Sequence, residues 1–254
     1  MDYPDIKIKT SEEIEIMKEG GAKLARVKAK CREAVKVGVS AADVEKVAVQ
    51  AIKDEGGEAS FKKVEGYSWA TCINVNEGIV HGIPTKDLVF KQGDLVSVDV
   101  GLYYKGFHTD TSFSVLLGEN PKIAKFLKVG EQALKNAIKA AQPGNKVFDI
   151  SMAIEDTVKA AGYAPVRLLT GHGVGRELHE EPMINCYARG SRTTSPELVP
   201  GMVIAIEVMY MMGKPDLVTA RDGWTISTRD GKISGLLEET VAITEHGPLV
   251  LTEG

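Results

Sequence analysis

The chain is predicted to have an α+β fold in which two helices followed by a run of strands occur twice. Three observations predict it. Helical periodicity fills two separate stretches, two-residue alternation fills the segments between them, and a set of glycine, histidine and acidic landmarks recurs in the same order in each half.

Thr10 to Glu13 reads as a capping box, with the Thr10 hydroxyl and the Glu13 carboxylate meeting orphan amides of a first turn. The helix that follows places Ile14, Met17, Leu24, Cys31 and Val35 on one apolar stripe, and Gly38 is expected to stop it. Ser40 opens a second helix. Its buried side carries Val44, Val47, Ala48, Ala51 and Ile52, and it ends near Gly56-Gly57. The period then becomes that of strands, in "ATCINVNEGIVHGIP", "DLVSVDVGLYY" and "GFHTDTSFSVLL". The second half repeats this order: a helix over about 121–141 broken at Pro143-Gly144, a second over about 147–161 stopped at Gly162, then strands again. The whole chain, 1–254, is expected to be one domain with an internal duplication, its halves spanning about 10–118 and 119–250.

The landmarks align the halves. "GDLVSVD" runs from Gly93 to Asp99 and "GMVIAIE" from Gly201 to Glu207; His81 and Pro84 are matched by His179 and Pro182, both as HxxP. "DTSFSV", from Asp110, is echoed by "EETVAI", from Glu238 or one residue later from Glu239. Each half thus supplies a histidine, an acid inside an apolar strand, and an acid on the following strand.

Composition narrows the classes of function. Thirty-one Lys plus Arg against 35 Asp plus Glu give a net charge of −4 with no long basic block, so nucleic acid is not the expected partner. No run approaches the roughly 18 uncharged apolar residues that cross a bilayer, and "MDYPDIKIKT" lacks an apolar core of signal-peptide length. Cys31, Cys72 and Cys186 are an odd number without CxxC spacing, which argues against a disulfide framework or a thiolate zinc site and fits a reducing cytoplasm.

The apolar run "MVIAIEVMYMM" contains one carboxylate, Glu207. An ionised acid in an apolar layer costs several kcal/mol unless a cation or strong donors meet it. Halves related by a pseudo-two-fold axis would bring Asp99, Asp110, Glu207 and Glu238 face to face, and four such acids stay ionised only around metal charge. With one imidazole added, this oxygen-rich set suits two of the harder divalent ions, Mn, Fe or Co, with Zn also compatible. "GHGVGRELHEEP" offers His172 and His179, of which one is needed as ligand. Paired metals lower the pKa of a water and polarise a carbonyl, which points to hydrolysis.

The stretches "NEGIVHGIP", "VDVGLYYKGFHTDTS", "GHGVGRELHEEP" and "LLEETVAIT" closely resemble the signatures of the methionine aminopeptidases, which have the pita-bread fold. The resemblance covers nearly the whole chain. The 28 residues from His179 to Glu207 leave no room for the insert of the type II enzymes, so the chain is similar to the bare type I form. The resemblance implies two divalent metal ions (Co, Mn, Fe or Zn) on Asp99, Asp110, His172, Glu207 and Glu238. Asp110 and Glu238 would bridge, Glu207 would also move the proton of the attacking water, His179 would meet the scissile carbonyl, and His81 would face the leaving group. Tyr67, Cys72 and Trp224 match the family's methionine pocket. The implied substrates are nascent chains with N-terminal methionine and a small second residue. Also implied is a monomer; a transient contact with the ribosome is compatible with such substrates, and the hydropathy predicts no association with a membrane.

Departures from the family pattern are Val208 in place of Pro after Glu207, Glu239 in place of His after Glu238, and Leu178 in place of Phe before His179. Val208 and Glu239 motivate an alternative, an Xaa-Pro aminopeptidase or dipeptidase of the same superfamily. A non-catalytic pita-bread binding module is a second alternative, although such proteins typically lose ligands that are all present here. His246 is expected to be structural, and His108, two residues before Asp110, to lend support at most. Gly171 to Gly175 lacks the spacing of a phosphate loop, and Ser60-Phe-Lys-Lys63 matches SxxK without a partner motif.

Overall fold

A computed structural model describes residues 5–253, so residues 1–4 and 254 of the expected 1–254 domain lie outside the described residues. Helices α1 (Ser11–Ala34) and α2 (Ala41–Asp54) precede strands β1 (Glu58–Ala59), β2 (Thr71–Val75), β3 (Gly78–Val80), β4 (Leu95–Tyr104) and β5 (Phe107–Leu116). Helices α3 (Pro121–Ala140) and α4 (Val147–Ala160) precede β6 (Ala164–Pro165), β7 (Thr170–Gly173), β8 (Glu180–Asn185), β9 (Val203–Met211), β10 (Leu217–Thr219), β11 (Ile226–Thr228), β12 (Ser234–Thr244) and β13 (Gly247–Val250).

The capping box forms: the Glu13 amide donates to Thr10 Oγ1 at 3.3 Å and the Thr10 amide to Glu13 Oε2 at 2.9 Å. The first helix ends earlier than Gly38. Val35 is already extended, with φ −73° and ψ 99°, and its amide closes the last turn on Cys31 O. Gly38 instead supplies a φ of 84° that lets its own amide reach Phe90 O at 2.9 Å. Ser40 caps α2 by accepting from the Asp43 amide, and Asn120 with Pro121 opens α3.

One antiparallel sheet of 10 strands runs along the path β1-β4-β5-β12-β9-β7-β8, with β2 added to β4, β13 to β12 and β6 to β9. Strands β10, β11 and β3 make a separate three-stranded sheet. The hairpin of β4 and β5 turns on Lys105 and Gly106, with φ of 48° and 92°, the left-handed pair that a two-residue type I′ turn requires. The seam between the halves is short, with Glu238 opposite Ser112 and Glu239 opposite Thr111.

Side chains alternate across each strand, so even-numbered residues of β4 and β9 face outward and odd-numbered ones face inward. Outside, α1 and α2 cover Val96, Val98, Val100, Leu102 and Phe113. On the other half, α3 and α4 cover Ile204, Ile206, Val208, Tyr210 and Val241. Each large apolar side chain buried in this way contributes roughly 1.5–3 kcal/mol relative to exposure. The inward residues include Asp99 and Glu207.

Candidate metal centre

The sheet register assembles the acids into two rows. Cys72 on β2 lies opposite Asp99, Asp99 opposite Ser112, Ser112 opposite Glu238, and Glu238 opposite Glu207. Residues directly opposite share a face, so one line across five strands carries three carboxylates. The second row lies two residues along: Asp110 faces Gly101 on one side, and its amide donates to Thr240 Oγ1 at 2.9 Å on the other. Thr240 lies opposite Ala205, and Ala205 opposite His172. Asp110 and His172 therefore share the inward face with the first row.

Ligand atoms of Asp110, His172 and Glu238 lie within 4.8 Å of one another, and His172 Nε2 is 3.4 Å from Glu207 Oε1. His172 Nδ1 donates to Gly173 O at 2.8 Å, which fixes the tautomer and leaves the Nε2 lone pair free toward the cavity. Burial, with His179 beside it, pushes the His172 pKa down to about 3, so the ring is a neutral donor. Gly171 is required in β7, because a Cβ there would stand 2.5 Å from Ala205 O. The glycines of this turn admit a neighbouring strand rather than a phosphate.

The acids are far from comfortable as a bare set. Burial pushes Asp99 up to about 7. Burial and mutual repulsion push Asp110, Glu207 and Glu238 well above the ordinary carboxylate range. Asp99 Oδ1, Glu238 Oε1 and Ser112 Oγ are buried without a hydrogen-bond partner, and the residues lining the cavity include no Lys or Arg. Orphaned acidic oxygens beside a neutral imidazole are the donor set a divalent cation satisfies. The residues fit the metal the family implies.

One cavity of about 140 Å³ is lined by all ten residues singled out in the sequence: Tyr67, Cys72, His81, Asp99, Asp110, His172, His179, Glu207, Trp224 and Glu238. Its apolar end adds Phe61, Val64, Val80 and Leu178. Leu178 is the departure that does reach the cavity. The other three were not singled out in the sequence; Phe61 lies inside the SxxK match and carried no signal of its own. Tyr67 packs edge-on against Trp224 and Trp69, with centroids 5.0 and 5.3 Å away, and its hydroxyl donates to Thr71 O at 2.8 Å. With the hydroxyl engaged, the pocket sees only the ring. Glu45 of α2 holds the start of β2 by accepting from the Ala70 and Thr71 amides at 2.8 and 3.0 Å. Burial raises the Cys72 thiol well above 9.0, so Cys72 lines the pocket as a neutral thiol.

The two further imidazoles stand at the rim. His81 adopts a φ of 57°, an uncommon conformation for a residue with a Cβ, and burial lowers its pKa. His179 is exposed, with its ring 4.5 Å from that of His172, yet it lies deep enough in the cleft for desolvation to hold its pKa below 6.5. His108 Nδ1 pairs with Ser60 Oγ at 2.9 Å, which engages the serine of the SxxK match. His246 lies exposed on the turn before β13.

Val208 and Glu239 do not line the cavity. Val208 is fully buried in the outward apolar cluster. Glu239 points outward to α1, where Lys28 Nζ donates to its Oε1 at 2.7 Å and to Thr111 Oγ1 at 3.1 Å, and Thr252 donates to its other oxygen. The residues that suggested a proline peptidase belong to the back of the sheet.

Comparison with known proteins matches residues 15–245 to metallopeptidase family M24. A methionine aminopeptidase of Aquifex aeolicus is 38% identical over 255 residues, covering 98% of this chain and 99% of its own. The structure of a methionine aminopeptidase from Thermotoga maritima superposes with a TM-score of 0.95 at 41% identity, covering 98% of this chain and 100% of that one. A prolidase from Pyrococcus furiosus superposes with a TM-score of 0.77 at 26% identity, covering 97% of this chain but 65% of its own. The fold is the pita-bread fold, and the match to family M24 together with the buried Asp, His and Glu cluster marks a divalent-metal site.

Proposed function

The chain belongs to metallopeptidase family M24, and from that premise we propose that it removes N-terminal methionine from peptides and nascent proteins by metal-dependent hydrolysis. The observation that carries this is the single cavity in which inward acids and His172 adjoin the apolar pocket of Tyr67, Cys72, Leu178 and Trp224. Asp99, Asp110, His172, Glu207 and Glu238 would hold two divalent ions, of Co, Mn, Fe or Zn. When bound, such ions acidify water and polarise the substrate carbonyl.

The chain's own groups do the rest. The methionine side chain fills the closed apolar end, and the substrate ammonium is drawn to the acidic rows, so only a terminal residue fits between them. Glu207 takes the proton of the attacking water and passes it on. His179, neutral and facing the cavity, donates to the carbonyl oxygen as it gains charge, and His81 faces the departing nitrogen. All these groups come from one chain, which supports action as a monomer. No described helix is long and apolar enough to cross a membrane, and the three cysteines are free and buried; with the bacterial relatives, this supports work in the cytoplasm on chains leaving the ribosome. We also propose that the repeated order of helices and strands is a duplication within one domain.

The test is turnover of Met-Ala-Ser against Ala-Pro-Ala by protein stripped of metal and reconstituted with Mn or Co. Methionine release only with metal is the expected result. Cleavage of the proline peptide alone would transfer the protein to the prolidase branch, and cleavage of neither would leave a binding module.

A further inference from the structure

The geometry points to Lys9 as a positioning residue for His179, acting through Glu180. This rests on the role given to His179 above. Apart from its edge contact with the His172 ring, the imidazole stands open: the residue is exposed and borders both the metal cavity and a separate cleft of about 580 Å³. An exposed ring between two open spaces is placed by its backbone, and that backbone is fixed by its neighbours in sequence. Leu178 anchors one side in the apolar pocket. Glu180 anchors the other.

Glu180 opens β8 and is buried. Its Oε2 accepts from Lys9 Nζ at 2.6 Å, with side chains only 5% and 4% exposed, and its Oε1 accepts from the Glu177 amide at 3.2 Å. One carboxylate thus closes the turn 177–180 on itself and ties it to the N-terminal segment. Lys9 is tied in turn. Its amide donates to Gly201 O at 2.8 Å, just before β9, the strand of Glu207, and its Nζ also donates to Lys7 O at 3.2 Å. The pair fills the space beside the turn: a Cβ on Gly175 would collide with Lys9 Cε and stand 2.8 Å from Glu180 Oε1. Beyond it, Ile6 bridges to Glu181 in parallel, and Arg176 pairs with Glu13 while lying over the Phe107 ring. The segment before α1 is therefore a strap across the back of the His179 turn, and Lys9 is its charged fastening.

Lys9→Met keeps most of the side-chain volume and removes the charge. Its expected effect is a kcat lower by about 10- to 100-fold, with KM within about threefold and metal content unchanged, since displacing a catalytic group by a fraction of an ångström acts on the transition state. Lys9→Arg should restore most of the loss. In a His179→Ala background Lys9→Met should cost nothing more, because the positioned group is gone. Glu180→Gln provides a second route if Lys9→Met does not fold, and the same kcat-selective loss is expected. A folded, metal-loaded Lys9→Met with kcat within about twofold of the parent, or an equal further loss in the His179→Ala background, would overturn the inference. Undiminished turnover by His179→Ala alone would instead overturn the role of His179 itself.

Discussion

The two halves of the sheet offer the same inward face and different backs. Inward, β4 and β5 present Asp99 and Asp110 while β9 and β12 present Glu207 and Glu238, so each half supplies two acids to one cavity. Outward, the second half packs an apolar cluster around Phe126 and Tyr210, whose rings stack at 4.1 Å, with the Tyr210 hydroxyl donating to Phe126 O at 2.7 Å. At the seam, α1 instead brings the cation Lys28 against Glu239. The lining of the apolar pocket is divided unevenly as well: Phe61, Tyr67 and Cys72 come from the first half, Leu178 and Trp224 from the second. A face that holds donors for one cavity is constrained equally in both halves. The back of each half needs only to exclude water, and apolar stacking or a satisfied ion pair does that equally well.

The strongest way to break the symmetry of the inner face is Glu207→Gln. The fold should survive and turnover of Met-Ala-Ser should fall by about 10³-fold, since an amide cannot take a proton from water. Near-parental turnover of folded mutant protein would remove Glu207 from its role.

The outer faces separate next, by chemical denaturation. Lys28→Met leaves the half-buried Glu239 with only its threonine donors and should cost about 1–3 kcal/mol, whereas Lys28→Met with Glu239→Met should recover most of that. Phe126→Ala, on the apolar back, should cost a larger amount, about 3–5 kcal/mol, through the cavity it leaves, and no second substitution at a charge would rescue it. A Lys28→Met loss that the double variant does not relieve would show that packing rather than charge governs both backs.

A smaller effect follows from the acids themselves. Asp99, raised from 3.8 to about 7 by burial, binds its proton more tightly folded than unfolded, and Asp110, Glu207 and Glu238 shift in the same direction. Such groups stabilise the fold fully below their unfolded values, and that contribution is lost as pH rises through the folded ones. Metal-stripped protein should thus melt about 5 °C or more lower at pH 8 than at pH 5, and added Mn should raise the melting temperature more at pH 8. A flat melting profile in the stripped protein would argue against the buried acidic set as described. The smallest change is expected at the pocket. Leu178→Phe narrows the apolar end and should increase discrimination of methionine over leucine at the substrate N-terminus by about 10-fold in kcat/KM.

Much of this is legible in the sequence. The period change after Gly57, the caps at Thr10 and Ser40, and the matched acids are local or repeating patterns, and each acid in an apolar strand is costly enough to signal a partner. The resemblance implies roles that spacing alone leaves open, including which of His172 and His179 would donate to metal. The end of α1 was misplaced by four residues because Val35 takes the last helical bond and leaves Gly38 to a turn that depends on Phe90, distant in sequence. Glu239 was read as a sign of a different substrate, since a sequence does not say which face of a strand pair has a cation waiting behind it.

By itself, the sequence determined the elements, the alternation of their faces and the chemical types gathered for the site, because these rest on short-range periodicity and on the cost of burying charge. Only the tertiary structure decided the register that lines Asp99, Ser112, Glu238 and Glu207 in one row, the pairing of Glu239 with Lys28, and the strap that sets Lys9 under Glu180. Those contacts join residues as far apart as 9 and 180, and which side chains meet at such distances depends on how the whole sheet closes rather than on any local pattern.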